Sequence, residues 1–124
     1  MRLILYFFAV VYVANAFWIF FFPHHFYESI PGLSLMGPFS MHFIRDVGLT
    51  FLATGVAIGW GAWKLNRPVA IAGASWHALH GLFHLQIWFK RGIPFDFIAF
   101  VDFMLVIIPS AVVILAAVRL KSAE

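Results

Sequence analysis

The sequence predicts an all-α integral membrane protein, an antiparallel up-down bundle of four transmembrane helices forming one domain over residues 1–124. Three observations lead there. Apolar residues make up 64% of the chain and charged residues 10%, and Phe alone occurs 16 times. Soluble domains carry about 25% charged residues, and so short a chain cannot hide this much apolar surface inside a globule. Four apolar runs reach the ~20 residues that a helix needs to cross a bilayer. The links between the second, third and fourth runs are very short, which makes consecutive helices antiparallel neighbours.

The first span, about 3–22, stops at Pro23 and gives way to "HHFYESIPGLSLMGPFS", a loop with Pro23, Pro31 and Pro38 in or beside it. "VANA" at 13–16 has the small-residue ending of a signal-peptidase site, but the apolar run continues through "FWIFFF", so a retained helix is expected. Asn15 is expected to bond to a neighbouring helix. The second span, about 41–63, stops at "KLNRP" and carries Gly48, Gly55, Gly59 and Gly61. Gly55 and Gly59 form a G-x-x-x-G, which lets helices approach closely and would also accommodate a flat cofactor. The third, about 69–89, stops at "KRGIP". The fourth, about 95–118, contains Pro109, which is expected to kink it by removing a backbone donor. Trp18, Trp60, Trp63 and Trp88 lie near span ends and read as interface anchors, while Trp76 is deeper.

Basic residues sit at the ends of the apolar runs. Arg2, Lys64, Arg67, Arg119 and Lys121 mark one face; Lys90 and Arg91 mark the other, with Arg45 just inside it. That asymmetry places both termini in the cytoplasm, in the cell (inner) membrane. The Lys and Arg form no phosphate-tracking patch, so a nucleic-acid partner is not expected. There is no Cys, which excludes disulfides and thiolate chemistry. No Ser/His/Asp triad, phosphate loop or dinucleotide fingerprint is visible.

The unusual stretch is "ASWHALHGLFHLQIWF", 74–89. His77, His80 and His84 fall within a ~60° arc of one helix face. His42 and Asp46 share a face of the second span, Arg45 stands ~60° from His42, and Asp96 and Asp102 differ by ~120° in heading. At ~1.5 Å per residue, Asp46 and His84 each lie ~8 Å inside the outer boundary, His80 and Asp102 ~11–14 Å, and His77 ~18 Å. With His24 and His25 at the end of the first span, nearly all ionisable side chains occupy one half of the bilayer, and the other half is apolar.

Ionisable groups in lipid face the bundle interior or a cavity. The expected pocket therefore combines His42, Arg45, Asp46, His77, His80, His84 and Asp102. Three readings follow. In the first, Arg45 pairs with Asp102 or Asp96 and the network only fixes helix register. In the second, His42, Asp46, His77, His80 and His84 bind a transition metal such as Zn, Fe or Cu, with Arg45, Asp96 and Asp102 around them. The absence of a Glu-x-x-His pair argues against a ferritin-like di-iron site. In the third, His42 and His84 ligate haem b, Arg45 neutralises a propionate, and Gly48 and Gly81 make room for the macrocycle. A further alternative is a quinone or lipid-like ligand, with His and Asp as proton carriers.

"FIRDVGLTFLATGVAIG" (43–59), an Arg-Asp-x-Gly start followed by a Gly-rich span, resembles the DoxX-like group of small four-helix bacterial membrane proteins. The resemblance implies Arg45 and Asp46 as family-pattern positions. It also implies a link to oxidoreductase complexes and quinone-coupled electron transfer. The expected function is metal or haem binding in an accessory subunit of a membrane redox complex, with the bilayer and other membrane subunits, or a second copy, as partners. The alternatives are a cofactor-free structural subunit and a quinone- or lipid-binding protein.

Overall fold

The structure is a computed structural model that describes residues 1–122. It is all-helical, with no strand among the described residues. The helices are α1 (Arg2–Phe21), α2 (Pro23–Ser29), α3 (Met41–Lys64), α4 (Arg67–Lys90) and α5 (Phe97–Val118), and a short 3₁₀ turn covers Leu33–Leu35. Three of them, α1, α3 and α5, are long and apolar enough to cross a membrane. α4 has 24 residues, ample length to cross, but its imidazoles and other polar groups lower its apolar character.

Local chemistry sets the boundaries. Pro23 disfavours helical geometry at Phe22, which ends α1, and Pro23 then starts α2. The Ser40 hydroxyl accepts from Phe43 N–H at 3.4 Å and caps α3. At the far end of α3, Leu65 takes a left-handed φ of 51° and Asn66 N–H donates to the Gly61 carbonyl at 2.8 Å. These close the helix in the manner usual for a left-handed C-terminal cap. The Asn66 side chain caps α4 through Val69 N–H at 3.1 Å. Asp96 caps α5 through Ala99 N–H at 2.8 Å.

Pro109 follows an irregular stretch of α5. A π turn over Phe103–Ile107 precedes it, with Ile108 N–H donating to the Phe103 carbonyl. The wider turn absorbs the irregularity that proline imposes on the turn before it.

The four long helices pack as antiparallel neighbours, α1 on α3, α3 on α4, α4 on α5, and α5 back against α1. Glycine makes the contacts. A Cβ on Gly48 would meet Ile19 and the Phe20 backbone at 3.2 Å, on Gly55 the Tyr12 and Val13 atoms at 3.1–3.2 Å, and on Gly59 Ala9 at 3.2 Å. The G-x-x-x-G is thus a helix–helix contact. A Cβ on Gly61 would come within 2.6 Å of Ala70 N, and one on Gly81 within 2.7 Å of the Ser110 Cβ. The apolar core of Leu5, Phe8, Ile58, Ala70, Ala74 and Val113 fills the end of the bundle near the chain termini. The histidines lie toward the opposite end.

Candidate functional site

His77 is buried where three helices meet. Its ring stacks on Tyr12 of α1, with centroids 3.6 Å apart and planes 11° apart. Phe51 of α3 stands edge-on to both rings. Nε2 lies 2.9 Å from Thr54 Oγ1. Thr54 Oγ1 also lies 2.8 Å from the Thr50 carbonyl of its own helix. Which of the two groups donates across the His77–Thr54 contact depends on the imidazole tautomer. Every feature of His77 ties α1, α3 and α4 together.

His80 and His84 have a different setting. Both are partly buried. His80 stacks on Trp76 at 4.8 Å and 10°, and the His80 and His84 rings are 4.6 Å apart. His84 Nδ1 lies 3.3 Å from Asp102 Oδ1, with the two side chains 18% and 20% exposed. The ring N–H direction does not fall on the carboxylate, so among the described residues this buried nitrogen has no hydrogen-bond partner. Asp102 stands immediately before the π turn of α5. An indole, two imidazoles and a carboxylate thus follow one another, from Trp76 beside Phe51 of α3 to Asp102 on α5.

Depth estimates pair Asp102 with His80, whereas the structure pairs it with His84. The reason is the start of α5. Asp96 caps the helix, so it begins at Phe97 instead of residue 95, and Asp102 sits about 3 Å nearer the outer end.

The second-span residues do not join this cluster. His42 Nε2 and Asp46 Oδ2 pair with each other at 3.3 Å, and the His42 side chain is 93% exposed. Arg45 does not meet Asp96 or Asp102. Its Nε donates to the Phe20 carbonyl at 3.2 Å, and its guanidinium lies 5.5 Å from the Phe20 ring centre. Arg45 thereby satisfies one of the carbonyls left open at the end of α1. Asp96 pairs with Arg91. Its carboxyl is held below the usual carboxylate range, first by the Ala99 N–H and then by Arg91. Asn15 bonds within its own helix, to the Val11 carbonyl at 2.9 Å, and not to a neighbour.

These positions bear on the cofactors. Haem b does not fit the expected frame: His42 points away from the bundle, and α1 fills the space beside Gly48. Ser110 fills that beside Gly81. Among the described residues, no three of the His, Asp and Glu side chains converge on one metal-holding point, so the expected set His42, Asp46, His77, His80 and His84 is split over three places. A cleft of about 330 Å³ runs between α4 and α5, lined by residues including Ala78, Leu82, Ile107 and Ala111. Its α4 wall of Ala78, Gly81 and Leu82 is centred about 120° round the helix from the imidazoles, with Gly81 about 40° from His77, and its lining is apolar apart from Ser110.

Sequence reasoning missed Tyr12 and Thr54 as partners of His77. Tyr12 lies ten positions from Arg2, Thr54 ten from Lys64, and His77 ten from Arg67. Each is therefore about 15 Å from the same end of the bundle, a register match that was available in the sequence.

No protein-family model, curated protein or solved structure matches the chain.

Proposed function

We propose that the chain is a four-span membrane protein of the cell membrane, with both termini cytoplasmic. In this reading its site at His80, His84 and Asp102 binds a lipid-soluble hydrogen carrier of the quinone class within a membrane redox complex. The single observation that carries this reading is the buried His84 Nδ1, 3.3 Å from a carboxylate and lacking a hydrogen-bond partner among the described residues. A polar atom left open in an apolar setting is costly, and a ligand carbonyl would satisfy it. Trp76 and His80 supply flat faces beside that position. The neighbouring imidazole and carboxylate can each hold or release a proton. The chain offers the proton side of such chemistry only; electrons have to come from a partner redox subunit. The resemblance of residues 43–59 to DoxX-like proteins agrees with this setting, although Arg45 and Asp46 then serve the fold at the α1–α3 contact.

The reading of α4 as the fourth span is supported by its length and by helices on both sides that are apolar enough to cross. His77 and His84 turn toward Tyr12, Thr54 and Asp102 of neighbouring helices, as intramembrane polar groups do.

A second reading has one observation in its favour. His80 and His84 are one helical turn apart, with Asp102 beside the latter. A small rotation of the two rings would give a two-histidine, one-carboxylate set for a transition metal. Elemental analysis of protein purified without chelators separates the readings. One equivalent of metal that is lost in His84→Ala supports the metal site. Metal-free protein that binds a short-chain quinone supports the first.

A further inference from the structure

We infer that the end of the bundle carrying both termini binds the phosphate headgroups of anionic phospholipid in preference to zwitterionic lipid; this rests on the reading that the helices span a bilayer. Arg2, Lys64, Arg67, Arg119 and Lys121 are gathered there by the antiparallel packing, and all are exposed. Among the described residues no carboxylate shares that end: Glu28, Asp46, Asp96 and Asp102 all lie toward the other.

The tryptophans supply the independent observation. At the outer end both indole N–H groups are used internally, by Trp18 to His25 Nδ1 at 2.9 Å and by Trp88 to the Pro94 carbonyl at 3.0 Å. At the basic end Trp60 and Trp63 are exposed, and neither indole has an acceptor among the described residues. The Lys64 ammonium lies 5.6 Å from the Trp60 ring centre and 4.1 Å from that of Trp63. Arg2 is held nearby, donating to the Trp63 carbonyl at 3.3 Å and to the Tyr6 hydroxyl at 3.1 Å. A pre-placed ammonium flanked by two free N–H donors, at the depth where a headgroup begins, suits a phosphate oxygen. Among the described residues the five cations have no nearby carboxylate to compete with that phosphate. Basic side chains at a membrane surface attract anionic lipid, and the aromatic rings keep Lys64 from folding away.

The test reconstitutes the full chain into phosphatidylcholine bilayers and reads the motionally restricted fraction of spin-labelled phosphatidylglycerol against spin-labelled phosphatidylcholine. The expected preference for phosphatidylglycerol is about threefold or more, falling as salt is raised. Lys64→Gln with Trp60→Phe and Trp63→Phe should clearly reduce it, and Lys90→Gln with Arg91→Gln should leave it unchanged. Equal association of the two lipids with the wild-type chain, or an equal loss from the outer-end variant, would overturn the inference. A chain that does not enter bilayers at all would instead overturn the spanning reading. Should the triple variant not fold, the wild-type preference and its salt dependence still decide.

Discussion

His84 Nδ1 and Asp102 Oδ1 approach to 3.3 Å across the α4–α5 contact without the alignment of a hydrogen bond. Among the described residues they are the one place where an imidazole of the "WHALHGLFH" segment meets a carboxylate from another helix. Two groups in contact should couple energetically. A double-mutant cycle of His84→Ala and Asp102→Ala, read by unfolding in mixed detergent, is expected to be non-additive by about 0.5–3 kcal/mol. Additive losses would mean that the pair does not interact.

His77 should behave as a structural residue. His77→Ala removes a buried ring from between Tyr12 and the α3 contacts, at an expected cost of about 3 kcal/mol. His77→Phe keeps the stack, and Thr54 keeps its own-helix bond to Thr50. Its cost should stay within about 1.5 kcal/mol. Thermal unfolding of the two variants checks the order, and a larger loss for Phe would show that the Thr54 contact matters more than the stack.

The α3–α4 hairpin is the tightest of the glycine contacts. Gly61→Ala would place a methyl 2.6 Å from a backbone nitrogen, whereas Gly59→Ala meets only another methyl at 3.2 Å. Overpacking of the first kind costs about 1–3 kcal/mol. Gly61→Ala is expected to lower the melting temperature clearly and Gly59→Ala only slightly.

Asp96 should give the outer end an acid-sensitive step. Its carboxyl titrates below the usual range in the folded chain, because the Ala99 N–H and Arg91 favour the charged form. A depressed carboxyl contributes stability above the unfolded value near 4, and that contribution is lost as pH falls through the folded value. Melting temperatures of wild type and Asp96→Asn should therefore differ at pH 6 and converge in acid. A constant difference across that range would show that the charge plays no part.

The helices were legible in the sequence because their signals are local. The second and third apolar runs, expected at about 41–63 and 69–89, are the helices Met41–Lys64 and Arg67–Lys90, since Ser40 and Asn66 cap them, and the left-handed Leu65 closes the first. The inward face of His77, His80 and His84 was legible for the same reason. What faced it was not, because facing partners depend on where neighbouring helices begin. The Asp96 cap shifted Asp102 from His80 to His84. Arg45 and Gly48 were both assigned to a cofactor, yet the α1 backbone needed them more: Arg45 for an open carbonyl, Gly48 for close approach. Spacing alone also could not turn His42 inward, since it lies at the exposed first turn of α3.

The most direct measurement is a titration of the detergent-purified chain with a short-chain quinone, followed by quenching of tryptophan fluorescence. The account predicts saturable quenching that weakens about tenfold or more in Asp102→Asn and in His84→Phe, the loss expected for one hydrogen bond to the ligand. His77→Phe should leave it unchanged. Quenching that never saturates, or that is equal in wild type and both site variants, would contradict the assignment of His84 and Asp102 as a ligand site.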